Sequence, residues 1–339
     1  MNNRIYVQTN NAERNEVIAF DRSEDGRLEP LGSFDTGGRG TGKPHLASQS
    51  SVALSGDGAW LLVANAGSDE LSLFAVEREG LRLSGRAASG GSAPTSVAER
   101  NGLVYALNNG GVPNISGFTV SDGELTPLEG STRALSGDAD PAQIAFSPDG
   151  KTLVLTERGT NSISAFAVDE RGYADGPATI PSSGATPYGF DFANGSVVVT
   201  EAFGGEIGKA AASSYALTGS GQLAPVSASV GDTRSEVCWA ATTKDGRFAY
   251  VTNFGDGTIS SYRISEGGSL DLHEAIAAST RLGEPGVRDE AISRDGRFLY
   301  AIDADAQRVF GWTIAADGGL SPIGEFEGVP ATVAGLAAS

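Results

Sequence analysis

Two glutamates, Glu157 and Glu201, close equivalent short strands in successive stretches of this chain. Neighbouring carboxylates in one shallow funnel push their pKa values apart, which makes a general acid and a general base from one residue type. The other reading gives each glutamate a bracing task, accepting hydrogen bonds from loop backbone as Asn and Asp do at the same position elsewhere. His45 follows Pro44 after the glycine-rich stretch Gly37-Gly38-Arg39-Gly40-Thr41-Gly42-Lys43. Its ordinary pKa suits a base that activates water, with a merely solvated loop histidine as the alternative. The glycine run lacks the spacing of a phosphate loop and opens no helix. Glu201, Glu157 and His45 are thus the catalytic candidates.

Other residues could hold a small ligand. Trp239 begins a strand and offers a platform for an apolar or ring-shaped molecule, or else packs between repeat units. Arg234, Arg288 and Arg133 lie on loops and could grip a carboxylate through paired N–H groups, or pair instead with Asp232, Glu236, Asp289 or Asp138. Asn65, Asn108, Gln143, Asn253 and Asp303 complete the polar set. Cys238 reads as a small buried hydrophobe, since no histidine is tied to it by sequence. His273 falls on an outer strand and is expected to be inert.

The elements that must position these side chains repeat. Six times an Asp-Gly or Asn-Gly pair, from Asp57-Gly58 to Asp295-Gly296, runs into a short apolar strand that ends on a polar residue. Those ends are Asn65, Asn108, Glu157, Glu201, Asn253 and Asp303, and a seventh strand, Arg4 to Thr9, starts the chain without its turn. Counted from Thr9, they are spaced by 56, 43, 49, 44, 52 and 50 residues. A repeat of this length built only of strands signifies a propeller. Each unit reads as an inner strand, a hairpin turn, a second strand, a third such as Ile163-Ser164-Ala165-Phe166, and an outer strand.

The fold expected is all-β: a seven-bladed β-propeller with four antiparallel strands per blade, in a single domain over 1–339. The apolar tail Val333 to Ala338 should be the missing inner strand of the first blade, closing the ring beside Arg4 to Thr9. The strand-closing residues should then form one polar ring at the channel mouth. The inner-strand entries Ser51, Ser96, Gln143, Trp239 and Asp289, and the long loops 36–50, 133–141, 230–237 and 280–288, should share that face.

With 42 acidic and 24 basic residues the net charge is −18, which argues against nucleic acid and anionic membranes as partners. One Cys and two His exclude an internal disulfide and a Cys- or His-rich metal centre. No metal or other cofactor is therefore expected. The weaker alternative is Ca or Mg held in the channel by the oxygens of Glu157, Glu201 and Asp303. No apolar run reaches membrane-spanning length. The start MNNRIYVQTN has no basic or apolar leader region, so the chain as written is read as cytoplasmic, a leader removed before residue 1 being the alternative.

Ser147-Pro148-Asp149-Gly150-Lys151, Thr252-Asn253, Ile163-Ser164-Ala165-Phe166 and the stretch Arg234 to Gly246 with Trp239-Ala240-Ala241 carry a family likeness. In these the chain resembles the seven-bladed propeller lactonases, which include 6-phosphogluconolactonase-like proteins and a carboxymuconate-lactonising enzyme. The resemblance implies hydrolysis of a lactone, or a ring-opening or ring-closing isomerisation, on the loop face. It also implies His and Arg at inner-strand entries, where this chain has Ser, Gln, Trp and Asp. Without clustered cations, a small non-phosphorylated lactone is expected rather than a phosphosugar. The competing reading is a non-catalytic propeller that binds a ligand or a protein. An enzyme requires a few convergent unpaired groups with one perturbed carboxylate, whereas a scaffold would show ring residues engaged with each other.

Overall fold

The computed structural model describes residues 3–44, 46–218 and 221–339. The strand-forming signal begins at the turns. In Ser55-Gly56-Asp57-Gly58 the Gly58 amide donates to the Ser55 carbonyl at 2.8 Å, and the Ser55 hydroxyl donates to Asp57 at 2.6 Å. The same pattern recurs at Ser147–Asp149, Thr243–Asp245 and Ser293–Asp295. The final glycine takes a positive φ, +74° at Gly150 and +67° at Gly246, which a Cβ would strain. Each turn therefore fixes the register of the hairpin it joins.

Seven antiparallel sheets result, and each is a blade. The inner strands are Gly335–Ala338, Val52–Leu54, Ser92–Arg100, Pro141–Phe146, Pro187–Ala193, Val237–Thr242 and Val287–Ile292 for blades 1 to 7. The second strands are Arg4–Gln8, Trp60–Asn65, Leu103–Gly110, Thr152–Glu157, Ser196–Glu201, Phe248–Asn253 and Phe298–Asp303. Blade 1 joins both termini: Ile5 pairs with Ala338 and Gln8 with Gly335, as the tail's lack of a turn predicts. In blade 3 the outer position is filled by two pieces, Glu124–Pro127 and Arg133–Ala134, both paired to the third strand. Among the described residues the one helical feature is a single 3₁₀ turn, Phe203–Gly205.

Apolar residues gather in the seven gaps between neighbouring blades rather than in one central core. Ile5, Val7 and Phe20 of blade 1, for instance, meet Phe298, Tyr300 and Ile302 of blade 7. Second-strand tyrosines also reach into the next blade. Tyr105, Tyr250 and Tyr300 donate to the carbonyls of Gly172, Gly318 and Gly26 at 2.8, 2.8 and 2.6 Å. Each buried ring thus keeps its hydroxyl satisfied while burying its face.

Two irregularities shape the loop face. Five inner strands carry a register shift at their entry: between Pro94 and Ser96, Pro141 and Gln143, Pro187 and Phe190, Val237 and Trp239, and Val287 and Glu290. An extra residue in one strand re-aims the side chains beside it. The segment Leu46–Ser50 also crosses the channel. Ser48 donates to the Thr95 carbonyl at 2.7 Å, and the Gln49 amide nitrogen to Ala142 at 3.2 Å. The Gln49 side chain bonds the Ala240 carbonyl and amide at 2.8 and 3.1 Å. This stopper fits because residue 189 is glycine: a Cβ there would stand 2.1 Å from Gln49 Oε1.

Candidate active site on the loop face

The strand-closing residues share one face, as their spacing predicts: Asn108, Glu157, Glu201, Asn253 and Asp303 pair opposite the inner-strand entries Pro94, Pro141, Pro187, Val237 and Val287. They do not border the channel. Second strands lie one step outward, and these side chains are buried inside their own blades. Glu201 accepts from Ser213 at 2.5 Å, Ser229 at 2.6 Å, the Gly184 amide at 2.7 Å and Ser182 at 3.4 Å. Glu157 accepts from Ser164 at 2.6 Å and Thr160 at 2.9 Å.

The rest of the ring is engaged in the same way. Asn65 bonds Ser72, Asn15 and Thr36, and Asn253 bonds Ser260 and Thr258. Asn108 donates to the Ser89 carbonyl and Asn114, and Asp303 accepts from Thr280, Arg281 and the Ala306 amide. The ring ties the end of each second strand to its third strand and outer loop. Glu157 and Glu201 stand in separate blades and do not converge on a common substrate position.

The entry bulges carry the side chains that do face the loops. Tyr188 and Arg288 lie within them, as does Cys238. The Arg288 guanidinium sits 4.8 Å over the Phe254 ring and Arg158 sits 5.1 Å over Tyr188. Tyr188 meets Trp239 edge-on with ring centres 5.5 Å apart, and Ala142, Cys238 and Phe254 join this floor. Arg158 is neutralised by Asp140 at 2.6 Å. Arg288 is only 4% exposed, has no acceptor for its Nε, and has no carboxylate within ion-pair distance among the described residues. Burial draws its pKa down, opposed by the negative field of Asp305 and Asp303.

Glu236 stands in the loop entering blade 6. Its backbone takes φ +56°, in the left-handed region, and its carbonyl accepts from the Phe254 amide at 2.9 Å. Strained non-glycine backbone of this kind is held in place by its surroundings and recurs at functional sites. The Glu236 carboxylate is half-buried and has no hydrogen-bond partner among the described residues. Burial pushes its pKa above the ordinary glutamate range, and the Arg288 charge pulls it part of the way back. The site is therefore a perturbed carboxylate and a guanidinium without a close ion pair, beside an aromatic floor.

The remaining candidates fall elsewhere. Arg234 lies 3.7 Å from Asp256, and Arg133 donates to the carbonyls of Ala174, Gly130 and Thr132. Gln143 clasps the Phe190 backbone in the next blade at 2.6 and 3.0 Å. Trp239 donates its indole N–H to the Ser48 carbonyl at 2.9 Å, so it holds the channel stopper. Cys238 is buried, which pushes its thiol pKa far up and leaves it no thiolate at neutral pH. His45 lies outside the described residues. No described group of three or more His, Cys, Asp or Glu is arranged to hold a metal ion. Among the described residues no helix is long and apolar enough to cross a membrane.

A family model described as lactonase, 7-bladed beta-propeller, matches residues 2–129, 112–203 and 198–334. The chain belongs to the seven-bladed β-propeller lactonase family. Among curated protein sequences none matches this lactonase-family chain. Solved structures do. A putative 6-phosphogluconolactonase from Bacteroides uniformis is 18% identical with a TM-score of 0.79, covering 100% of this chain and 99% of that one. The periplasmic gluconolactonase of Pseudomonas aeruginosa is 17% identical with a TM-score of 0.75, covering 100% and 99%. A functionally unknown protein from Desulfotomaculum acetoxidans is 15% identical with a TM-score of 0.75 and the same coverage. At these identities the likeness speaks for the fold alone.

Sequence reasoning missed Glu236 as a functional group, and missed Arg158, Tyr188 and Phe254 altogether. A signal for two of them is present: Arg158 and Phe254 each follow a strand-closing polar residue by one. Strand alternation turns them to the side opposite the buried ring. Tyr188 and Arg288 depend on the bulges, which period-2 counting does not contain.

Proposed function

We propose that this chain is a lactone-handling enzyme whose site is the Glu236–Arg288 pair on the loop face. The observation that carries the reading is Arg288, a buried cation with no carboxylate at ion-pair distance among the described residues, electrostatically coupled to a carboxylate that burial has made more basic. Such a pair suits ester chemistry. Glu236 takes a proton from water as the water oxygen bonds to the lactone carbonyl carbon, and the Arg288 N–H groups stabilise the oxyanion. Collapse breaks the ring C–O bond, the departing oxygen receives the proton from Glu236, and the new carboxylic acid releases its remaining proton to solvent, leaving a carboxylate held by Arg288. The aromatic floor of Tyr188, Trp239 and Phe254 supports an apolar or sugar-like ring.

The substrate we favour is small and not phosphorylated. A phosphate dianion needs clustered unpaired cations, whereas Arg158, Arg234 and Arg281 each face a carboxylate. The test is a pH-stat assay of acid release from a panel of γ- and δ-lactones, beginning with gluconolactone, above the spontaneous rate. Turnover that saturates with substrate supports the reading. Absence of turnover across the panel would leave the non-catalytic binding propeller in its place.

A further inference from the structure

The channel below the stopper holds a cavity of about 400 Å³ that the loop-face chemistry does not use. Its walls are the inner strands, and most polar groups on them are spent on the free edges of those strands. Asp191 accepts from the Thr242 amide and hydroxyl at 2.8 and 2.9 Å, and Asp289 from the Leu336 and Glu290 amides at 3.1 and 3.0 Å. Glu290 differs. It is 3% exposed, it lines the cavity, and neither carboxylate oxygen has a partner. A buried carboxyl without donors is costly, and a site that leaves one open is built for a donor from outside.

The opposite end of the cavity carries the other charge. Arg100, Lys244 and Arg294 line it where the inner strands reach their hairpin turns. Lys244 is exposed and has no ion pair among the described residues, while the buried Arg100 Nε has no acceptor. Arg294 is bonded to the Gly56 carbonyl. Between the two ends run apolar side chains, among them Val97, Phe146, Phe190 and Leu336. These apolar walls suit methylene groups, so the positive group that fits Glu290 is an organic ammonium.

We propose that the channel is a second ligand site that takes a short ω-amino carboxylate, its ammonium on Glu290 and its carboxylate at the Arg100–Lys244 rim. The ammonium supplies three donors to an acceptor that has none, and the methylenes cover the apolar wall. Binding is coupled to pH. Burial, with the adjacent Asp289 and Asp191, pushes the Glu290 pKa well up, so this carboxyl gives up its proton at higher pH than an ordinary glutamate. Tyr250 lies behind Glu290, and Glu99 joins the three cations at the rim. The arriving ammonium displaces the Glu290 proton, so affinity rises by up to about tenfold per pH unit while that group is protonated.

Isothermal titration of the full chain with 5-aminopentanoate tests this, with pentanoate and 1-butylamine as half-ligands. We expect one site, at least tenfold tighter for 5-aminopentanoate than for either half. Glu290→Gln should weaken it at least tenfold and flatten its pH dependence, while lactone turnover is unchanged. Lys244→Ala, a surface change that keeps the variant folded, should weaken 5-aminopentanoate and leave 1-butylamine unaltered. Pentanoate binding as tightly as the amino acid, unchanged affinity in Glu290→Gln, or no heat from any amine would overturn the proposal. If Glu290→Gln fails to fold, the Lys244→Ala comparison decides: equal weakening of both amines, or of neither, counts against it.

Discussion

At Glu201 four donors converge on one carboxylate, and exchanging an oxygen for an amide nitrogen sets a donor against a donor. Glu201→Gln should cost about 1–3 kcal/mol, read as a lower urea midpoint at unchanged slope, while the folded fraction keeps its turnover. Burial acts in the opposite sense in the channel, pushing the Asp289 pKa up to about 7 against three backbone N–H groups. An unfolded aspartate releases its proton near pH ~3.9, so between the two values the folded chain binds more protons. The stability from this proton is complete below the lower value and is lost as pH rises through the upper one. Melting temperature should therefore fall from about pH 5 to about pH 8, and Asp289→Asn should flatten that slope.

The strand is the scale at which the sequence was most legible, and the bulge is where it stopped being so. The Asp-Gly turns, the strand-closing polar residues and the apolar tail place seven blades and their closure, because each signal is local and repeats. The entry bulges are not local: they arise where an inner strand accommodates both its own second strand and the neighbouring blade. One added residue moves Arg288 rather than Asp289, and Tyr188 rather than Gly189, towards the loops. The polar residues left behind cap the inner edges, which would otherwise expose unpaired backbone. Gln143→Leu removes the clasp on Phe190 and strands a buried amide and carbonyl, which should cost about 1–3 kcal/mol of stability in denaturant titration.

At the scale of the whole molecule, the cohesive unit is the gap between blades, so the ring is only as strong as its closure. Removing 335–339 takes the inner strand from blade 1 and uncovers one face of two gaps, where Leu336 and Ala337 are buried. Thermal unfolding of that truncation should lose its single sharp transition or shift it down by ten degrees or more, roughly the effect of several kcal/mol on a domain. Closure also divides the molecule, with Leu46–Ser50 separating a loop face that carries Glu236 and Arg288 from a channel that carries Glu290. Assignment of turnover to the loop face is tested most directly by the pH–rate profile of lactone hydrolysis in wild type and Glu236→Gln. The wild-type kcat/KM should fall on the acid side with an apparent pKa above that of an ordinary glutamate, since the base works only when deprotonated. In Glu236→Gln the rate should drop at least about 10²-fold and that acid limb should disappear. A wild-type rate and an unchanged acid limb in Glu236→Gln would contradict the assignment.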